Sequence, residues 1–314
     1  MMSSLKEVGE RHLIENIMGV IRPSPGIKGT ADDAAVIPTE GDVVACSDIV
    51  TFERHMPKGM SYEKFGWTAA AVNFSDLAAM GARPIGILAS LAMPDDMDES
   101  ELYDIMSGID QCAEFAGTTV IGGDTKPGHG AISCTALGTM DGRRPMMRNG
   151  ADIGDVVAVT GGLGGAAAGF KAIENNLEAE DAIFKLMTPV PLIYEGIELS
   201  KCGKVTSCID LSDGLATAAN TICEQSHVGM ELVYEFLPID QDVDEVCERL
   251  RIPKKDLVLN WGGEYELMFT FPKSEIETLQ KTGVFFSIIG HITDDDGAYL
   301  LEDDECVRLG YGCY

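Results

Sequence analysis

Residues 72–84 read VNFSDLAAMGARP, a run of small and apolar side chains interrupted by a single carboxylate, Asp76. Burying such a run is favourable only if the carboxylate is neutralised, hydrogen-bonded or bound to a cation, because an unpaired buried charge is expensive. The fold must therefore bring a partner to Asp76 from elsewhere in the chain. On a helix, Asn73 and Asp76 are i, i+3 neighbours on one face, where they offer two oxygens, while the surrounding Ala, Leu and Met pack against the body of a domain. The pattern recurs as DLSD at 210–213, again opening an apolar helical stretch.

The rest of the chain reads as α/β (or α+β). Strand-like runs occur at VVACSDI, AISCTALGTM, VVAVTG, VTSCID, MELVYEF, ELMFTF and FFSIIGHI, and helical patterns at 62–80, 99–116 and 212–227. Val8, Ile14, Ile17, Met18 and Ile21 predict an N-terminal helix ended by PSPG. The turn-rich segment DGRRPMMRNGADIGD divides the chain near residue 148, giving domains 1–148 and 149–314.

Composition excludes several classes of function. A net charge of -28 argues against nucleic acid and anionic membrane as partners. Nine cysteines, an odd count without a C-x-x-C pair, give no disulfide framework or zinc site and fit a reducing cytoplasm. The charged N-terminus lacks a signal-peptide core, and the longest apolar stretch, IGILASLAM, is too short to span a bilayer. A soluble, cytoplasmic protein is expected.

Acidic residues gather beside glycine turns and element ends: Asp32 and Asp33 in TADDAAVIP, Asp48 in CSDIV, Asp76, Asp124 in IGGDTKPG, and Asp210 with Asp213 in IDLSDG. Each alone reads as a cap or turn residue. If they converge, their mutual repulsion calls for divalent cations, and Mg²⁺, which takes oxygen ligands and bridges carboxylates to phosphates, is the natural choice. IGGDT lets backbone approach a ligand closely at Gly122 and Gly123, and TGGLGGAAAGF leads from a strand into a helix whose N-terminus favours an anion. Neither is a P-loop, since no G-K-[ST] follows. His55 lies seven residues after Asp48; Ser75 and Ser212 each precede an Asp without the G-x-S-x-G elbow of a nucleophile.

Taken together, ADDAAVIP, SDIVTFERH, AVNFSDLAAMGARPIGILASLAMP, IGGDT, ALGTM, RNGADIGDVVAVTGGLGGAAAGF, IDLSDGL, GGEYELMF and IGHIT resemble, in order and over nearly the whole chain, the motifs of thiamine-monophosphate kinases of the aminoimidazole-ribonucleotide synthetase-like superfamily. The resemblance implies a two-domain synthetase-like fold. Its N-terminal α/β domain contributes strands to a β-barrel in a homodimer, and its C-terminal α/β domain closes over the nucleotide. It implies ATP as co-substrate, thiamine monophosphate as acceptor and several Mg²⁺ ions. By motif, Asp33, Ser47, Asp48, Asp76, Asp124, Asp210 and Asp213 match metal positions, with Asp48, Asp76, Asp124 and Asp210 central to transfer. Gly123, Asp124, Arg148 and Ser212 match the nucleotide site, and His55 and Glu264 the acceptor side. The chain departs from the family at Ala31, where glycine is usual, at Cys46, where a hydroxyl residue is common, and in Gly262-Gly263-Glu264-Tyr265-Glu266-Leu267, where the usual G-G-E-D-Y-E-L has lost its Asp.

Phosphoryl transfer asks a protein mainly to position and to neutralise charge, and an acceptor phosphate needs no strong base to attack. Two other readings remain open on sequence: a superfamily synthetase or maturation enzyme that activates an amide or carboxylate-type oxygen by phosphorylation, and a catalytically idle nucleotide-binding dimer.

Overall fold

The computed structural model describes residues 35–38, 41–94, 96–303 and 305–312. The expected N-terminal helix and Asp32 and Asp33 lie outside them.

The first part of the chain builds a five-stranded sheet in the order β1-β2-β5-β3-β4, from β1 (Ala35–Pro38), β2 (Asp42–Thr51), β3 (Arg83–Met93), β4 (Val120–Pro127) and β5 (Ala131–Thr139). Between β2 and β3 come the short α1 (Phe52–His55) and the long α2 (Tyr62–Met80), and α3 (Glu99–Phe115) links β3 to β4. Only β3 and β4 run parallel; the other pairs are antiparallel.

The second part builds a seven-stranded sheet, order β12-β11-β8-β10-β6-β9-β7. Its strands are β6 (Asp155–Val159), β7 (Ser207–Asp210), β8 (Gly229–Val233), β9 (Leu267–Pro272), β10 (Ser287–Thr293), β11 (Gly297–Glu302) and β12 (Glu305–Arg308). Around them lie α4 (Gly165–Asn175), α5 (Glu180–Met187), α6 (Ile193–Cys202), α7 (Leu215–Ser226), α8 (Gln241–Leu250), α9 (Lys254–Asn260) and α10 (Ile276–Gln280). β6 is buried at every residue. Val156 and Ala158 join one core cluster and Val157 and Val159 the other, as expected of a strand covered on both faces. Among the described residues neither sheet closes on itself.

The element that joins the two halves is α2. Ser61 accepts the Lys64 amide at its start, and the chain leaves it through the left-handed Gly81. Alanines, Phe65, Phe74, Leu77 and Met80 are buried around its circumference, so α2 has no water-facing side along most of its length. It packs on β2 and β5 of the first sheet and on α6 and β7 of the second part. Its residues share one continuous core with Val44 and Ile132 on one side and Leu199, Cys208 and Phe269 on the other. Trp67 Nε1 donates to the Pro189 carbonyl at 2.6 Å, fastening the early part of α2 to the second half.

The sequence pattern locates α2, α3 and α7 well, but IGILASLAM forms most of β3, a strand the pattern left unassigned. MELVYEF is a strand only to Val233, after which Tyr234–Phe236 tighten into a 3-10 turn. Among the described residues no helix is long and apolar enough to cross a membrane.

Because Phe74 is fully buried where both halves meet, Phe74→Ala should cost about 3–5 kcal/mol. Denaturant unfolding followed by circular dichroism measures this, with the sheet and helix signals lost together in one transition.

Candidate functional site

Asp48, Asp76 and Asp210 come together where α2 meets both sheets. The Asp48 amide donates to Asn73 Oδ1 at 3.0 Å, and Asn73 Nδ2 donates to the Ala69 carbonyl at 3.0 Å. Asn73 is completely buried; it buckles β2 onto α2 instead of offering an open ligand beside Asp76. The Asp76 carboxyl lies within hydrogen-bond reach of Asp48 and of the Cys46 thiol. Next along the helix, Ser75 Oγ donates to Asp210 Oδ2 at 2.6 Å, and Ser212 Oγ donates to Asp210 Oδ1 at 3.2 Å. Ser75, dismissed as a nucleophile, is thus the bridge between the two halves.

Burial, then the charges of Asp210 and Asp48, hold the Asp76 carboxyl well above the usual carboxylate range. Burial also raises Asp210, although the Ser75 hydrogen bond and the nearby Arg148 guanidinium oppose the shift. The Cys46 thiol is pushed up by burial and by Asp76 and Asp48. Arg148 is half-buried, and its carbonyl accepts from Ser226 Oγ at 3.4 Å.

The segment 262–266 folds directly onto the exit of β7. The Gly263 amide donates to the Ser212 carbonyl at 2.9 Å, and the Glu264 and Tyr265 amides both donate to the Leu211 carbonyl at 3.2 Å. Tyr265 adopts a left-handed backbone, φ 54°. Burial and the charges of Asp210, Asp48, Asp213 and Asp76 raise its phenol pKa, so Tyr265 shares the acidic site with Asp213, which is exposed.

Glu264 points elsewhere. Its Oε1 accepts the Ala166 amide at 3.2 Å, and its Oε2 lies 2.8 Å from Lys185 Nζ. Lys185 also contacts Asp240 at 2.8 Å, Glu266 at 3.5 Å and the Gly162 carbonyl at 2.5 Å. Burial opposes the lysine charge, but Glu264, Glu266 and Asp240 outweigh it and raise its pKa, while burial pushes Glu264 up to about 7. This cluster changes the reading of TGGLGGAAAGF. Helix α4 does begin there, but its N-terminal amide at Ala166 is satisfied by the protein's own Glu264. A side chain on Gly162 would meet Asp240 Oδ1 at 1.8 Å. The glycines let the loop press against internal carboxylates, so it is a joint and not an open phosphate cradle.

Four sequence-selected residues stand apart from the Asp76 group. Asp124 is exposed on the edge strand β4 and pairs with Lys126 at 2.8 Å; that hydrogen bond and the Thr125 amide lower its pKa. Gly123 is needed because a side chain there would meet the Ala89 carbonyl of β3 at 1.8 Å. Ser47 Oγ donates to the Cys134 carbonyl at 2.9 Å and contacts Thr135 Oγ1 at 2.9 Å, on the side of β2 opposite Asp48. His55 is exposed at the end of α1, and its Nδ1 accepts the Thr51 amide at 3.0 Å. Asp33 lies outside the described residues.

Among the described residues, no three His, Cys, Asp or Glu side chains stand close enough to hold a metal ion alone. The donors nonetheless suit Mg²⁺. Asp48 lies within hydrogen-bond reach of Asp76, and an ion that takes much of its shell from water and phosphate oxygens needs only one or two protein carboxylates.

Residues 31–140 match the model of the AIR synthase related protein N-terminal domain, and residues 152–302 that of the AIR synthase related protein C-terminal domain. The chain is 34% identical to the thiamine-monophosphate kinase of Methanopyrus kandleri, over 94% of this chain and 93% of that one. It is 32% identical to the thiamine-monophosphate kinase of Escherichia coli K12, over 91% and 90%. Among solved structures it is similar to AaThiL complexed with AMPPCP and TMP, at a TM-score of 0.87 and 27% identity, covering 97% of this chain and 96% of that one.

The raised Asp76 pKa makes a prediction with a definite sign. The folded chain keeps the Asp76 proton where the unfolded chain, with a carboxyl pKa of about 3.9, has lost it. Its contribution to stability therefore falls as pH rises from the unfolded value through the raised folded one. With metal chelated, Asp76→Asn should raise the melting temperature by a few degrees, more at pH 8 than at pH 5. Thermal melts at both pH values check this; an Asp76→Asn protein that melts lower than the parent at pH 8 would contradict it.

Proposed function

This chain belongs to the thiamine-monophosphate kinase family, within the AIR synthase related proteins, and from that premise we propose that it transfers the γ-phosphoryl group of ATP to thiamine monophosphate, giving thiamine diphosphate and ADP. The observation that carries this reading is the Asp48–Asp76–Asp210 group, assembled across α2 from both halves of the chain, together with the likeness to AaThiL complexed with AMPPCP and TMP.

An oxygen of the acceptor phosphate attacks the γ-phosphorus in line. The bond from phosphorus to the β–γ bridging oxygen breaks, and its electron pair leaves with ADP. Bound Mg²⁺ supplies positive charge along the phosphates. Asp48, Asp76, Asp210 and Asp213 would hold such ions, with Asp33 as a further ligand by motif; the Ser47 hydroxyl, bonded to Cys134 and Thr135 on the other side of β2, stays out of that group, and Ser75 fixes Asp210 so that the two halves keep register. Arg148 and Ser212, beside Asp210, face the nucleotide, joined by motif by Gly123 and Asp124; His55 serves the acceptor side, and Glu264, held by Ala166 and Lys185, contributes there by fixing the 262–266 turn. The acceptor phosphate is already a nucleophile at neutral pH, so no phospho-enzyme forms.

The working unit is a homodimer. On the sheet face away from α2, Ile49, Ile85, Leu88 and Ile121 are exposed, an apolar patch that a second copy covers by sheet-to-sheet contact. Asp124 is paired in register with Ser90 on that face, which brings the Gly123–Asp124 turn of each protomer to the interface. The domain boundary falls near 148. Buried thiols without disulfides, at Cys46, Cys112, Cys134, Cys208, Cys223 and Cys247, fit a cytoplasmic enzyme.

ATP carrying labelled γ-phosphate tests the reaction: the label should appear in thiamine diphosphate without stoichiometric release of inorganic phosphate. Labelled phosphate released in the presence of acceptor, with no labelled thiamine product, would reject the kinase in favour of a synthetase. For the assembly, Leu88→Asp combined with Ile49→Asp should convert a dimer to a monomer in light scattering; a parent that is already monomeric would reject the interface.

A further inference from the structure

Tyr265 is the one residue of the shortened motif that turns toward the acidic group. Glu264 and Glu266, on either side of it, both reach Lys185. The residue between them sits at the β7 exit, where its amide, like that of Glu264, bonds to the Leu211 carbonyl, one residue from Asp210, and its phenol is near enough to Asp210, Asp48, Asp213 and Asp76 to feel their charges. The turn that accomplishes this is left-handed at a non-glycine residue, a costly conformation that persists where surrounding structure fixes it and that clusters at functional sites. Among the described residues no group hydrogen-bonds the Tyr265 hydroxyl, although the side chain is largely enclosed.

The chemistry of that position is specific. Asp48, Asp76, Asp210 and Asp213 repel phosphate oxygens and have no proton to offer them once ionised, whereas a phenol is a neutral donor. A phenol keeps its proton at neutral pH, since its ordinary pKa is about 10. In phosphoryl transfer, charge spreads over the equatorial oxygens, and a fixed donor aimed at them lowers the barrier. We propose that Tyr265 is a further catalytic residue, its O–H donating a hydrogen bond to an equatorial oxygen of the phosphoryl group in transit. This rests on the kinase reading above and adds to it a contact made by the protein itself.

Tyr265→Phe removes the hydroxyl and keeps the ring, so the turn and the packing survive. The variant should lose kcat by about 10- to 100-fold, with KM for ATP and for thiamine monophosphate each within about twofold of the parent. Its melting temperature in Mg-ATP should be unchanged. Titration calorimetry with orthovanadate in the presence of Mg²⁺ and ADP, whose trigonal form mimics the phosphoryl group in transit, gives a second readout, in which the variant should bind about tenfold more weakly. A kcat within twofold of the parent would overturn the assignment, as would a lowered melting temperature with ATP affinity lost in parallel, which marks a structural role. If the parent itself labels no thiamine product, the substrate reading fails. The vanadate titration still decides Tyr265: equal affinity in parent and variant rejects the contact.

Discussion

The hydrogen bond from Ser75 to Asp210 is the contact on which the site depends. It spans 135 positions of sequence and crosses from the helix of the first half to a strand end of the second. Buried polar groups of this kind stabilise a fold only when fully satisfied, and they then fix a single arrangement. Asp210 accepts from Ser75 on one oxygen and from Ser212 on the other, so its position relative to α2 is set from both sides. Since α2 is buried around most of its circumference, sliding it to relieve the carboxylates would break the core that Phe74 and Leu77 share with Leu199 and Phe269.

That rigidity explains why the acidic group can exist. Asp76 is held near Asp48 and Asp210 by packing, not by attraction, and burial first, then those two charges, raise its carboxyl well above the ordinary range. A site that stores repulsion between anions is prepared for cations and for the phosphates that accompany them. The second acidic cluster, around Lys185, differs in kind. There an internal ammonium already bridges Asp240, Glu264 and Glu266, and the result fastens the glycine loop and the 262–266 turn to each other.

Much of this was legible in the sequence, for definable reasons. Asp76 stood out because one charge interrupted an apolar run, and the bounds of α2 followed from the helical pattern over 62–80. The DLSD repeat pointed to Asp210, although no local pattern could say that Ser75 would meet it. Edge strand β4, reading VIGGDTKP and exposed along nearly its whole length, has no alternation to betray it, and β3 is apolar without a period that separates strand from helix. The glycine loop misled because glycines beside a helix start serve an external anion and an internal carboxylate equally well. Tyr265 was hidden for a backbone reason: its left-handed turn reverses which neighbours face the site, and Lys185 lies in a stretch, FKLMTP, with no motif at all.

The central claim is that α2 holds Asp76 so near Asp210 that ionising both is costly, a cost that added cations offset. A double-mutant cycle on Asp76→Asn and Asp210→Asn, measured by denaturant unfolding with metal chelated, tests it most directly. The account predicts that removing one charge makes removal of the other less beneficial, with a coupling on the order of 1 kcal/mol, and that saturating Mg-ATP reverses its sign. Effects that add within a few tenths of a kcal/mol, unchanged by Mg-ATP, would contradict it.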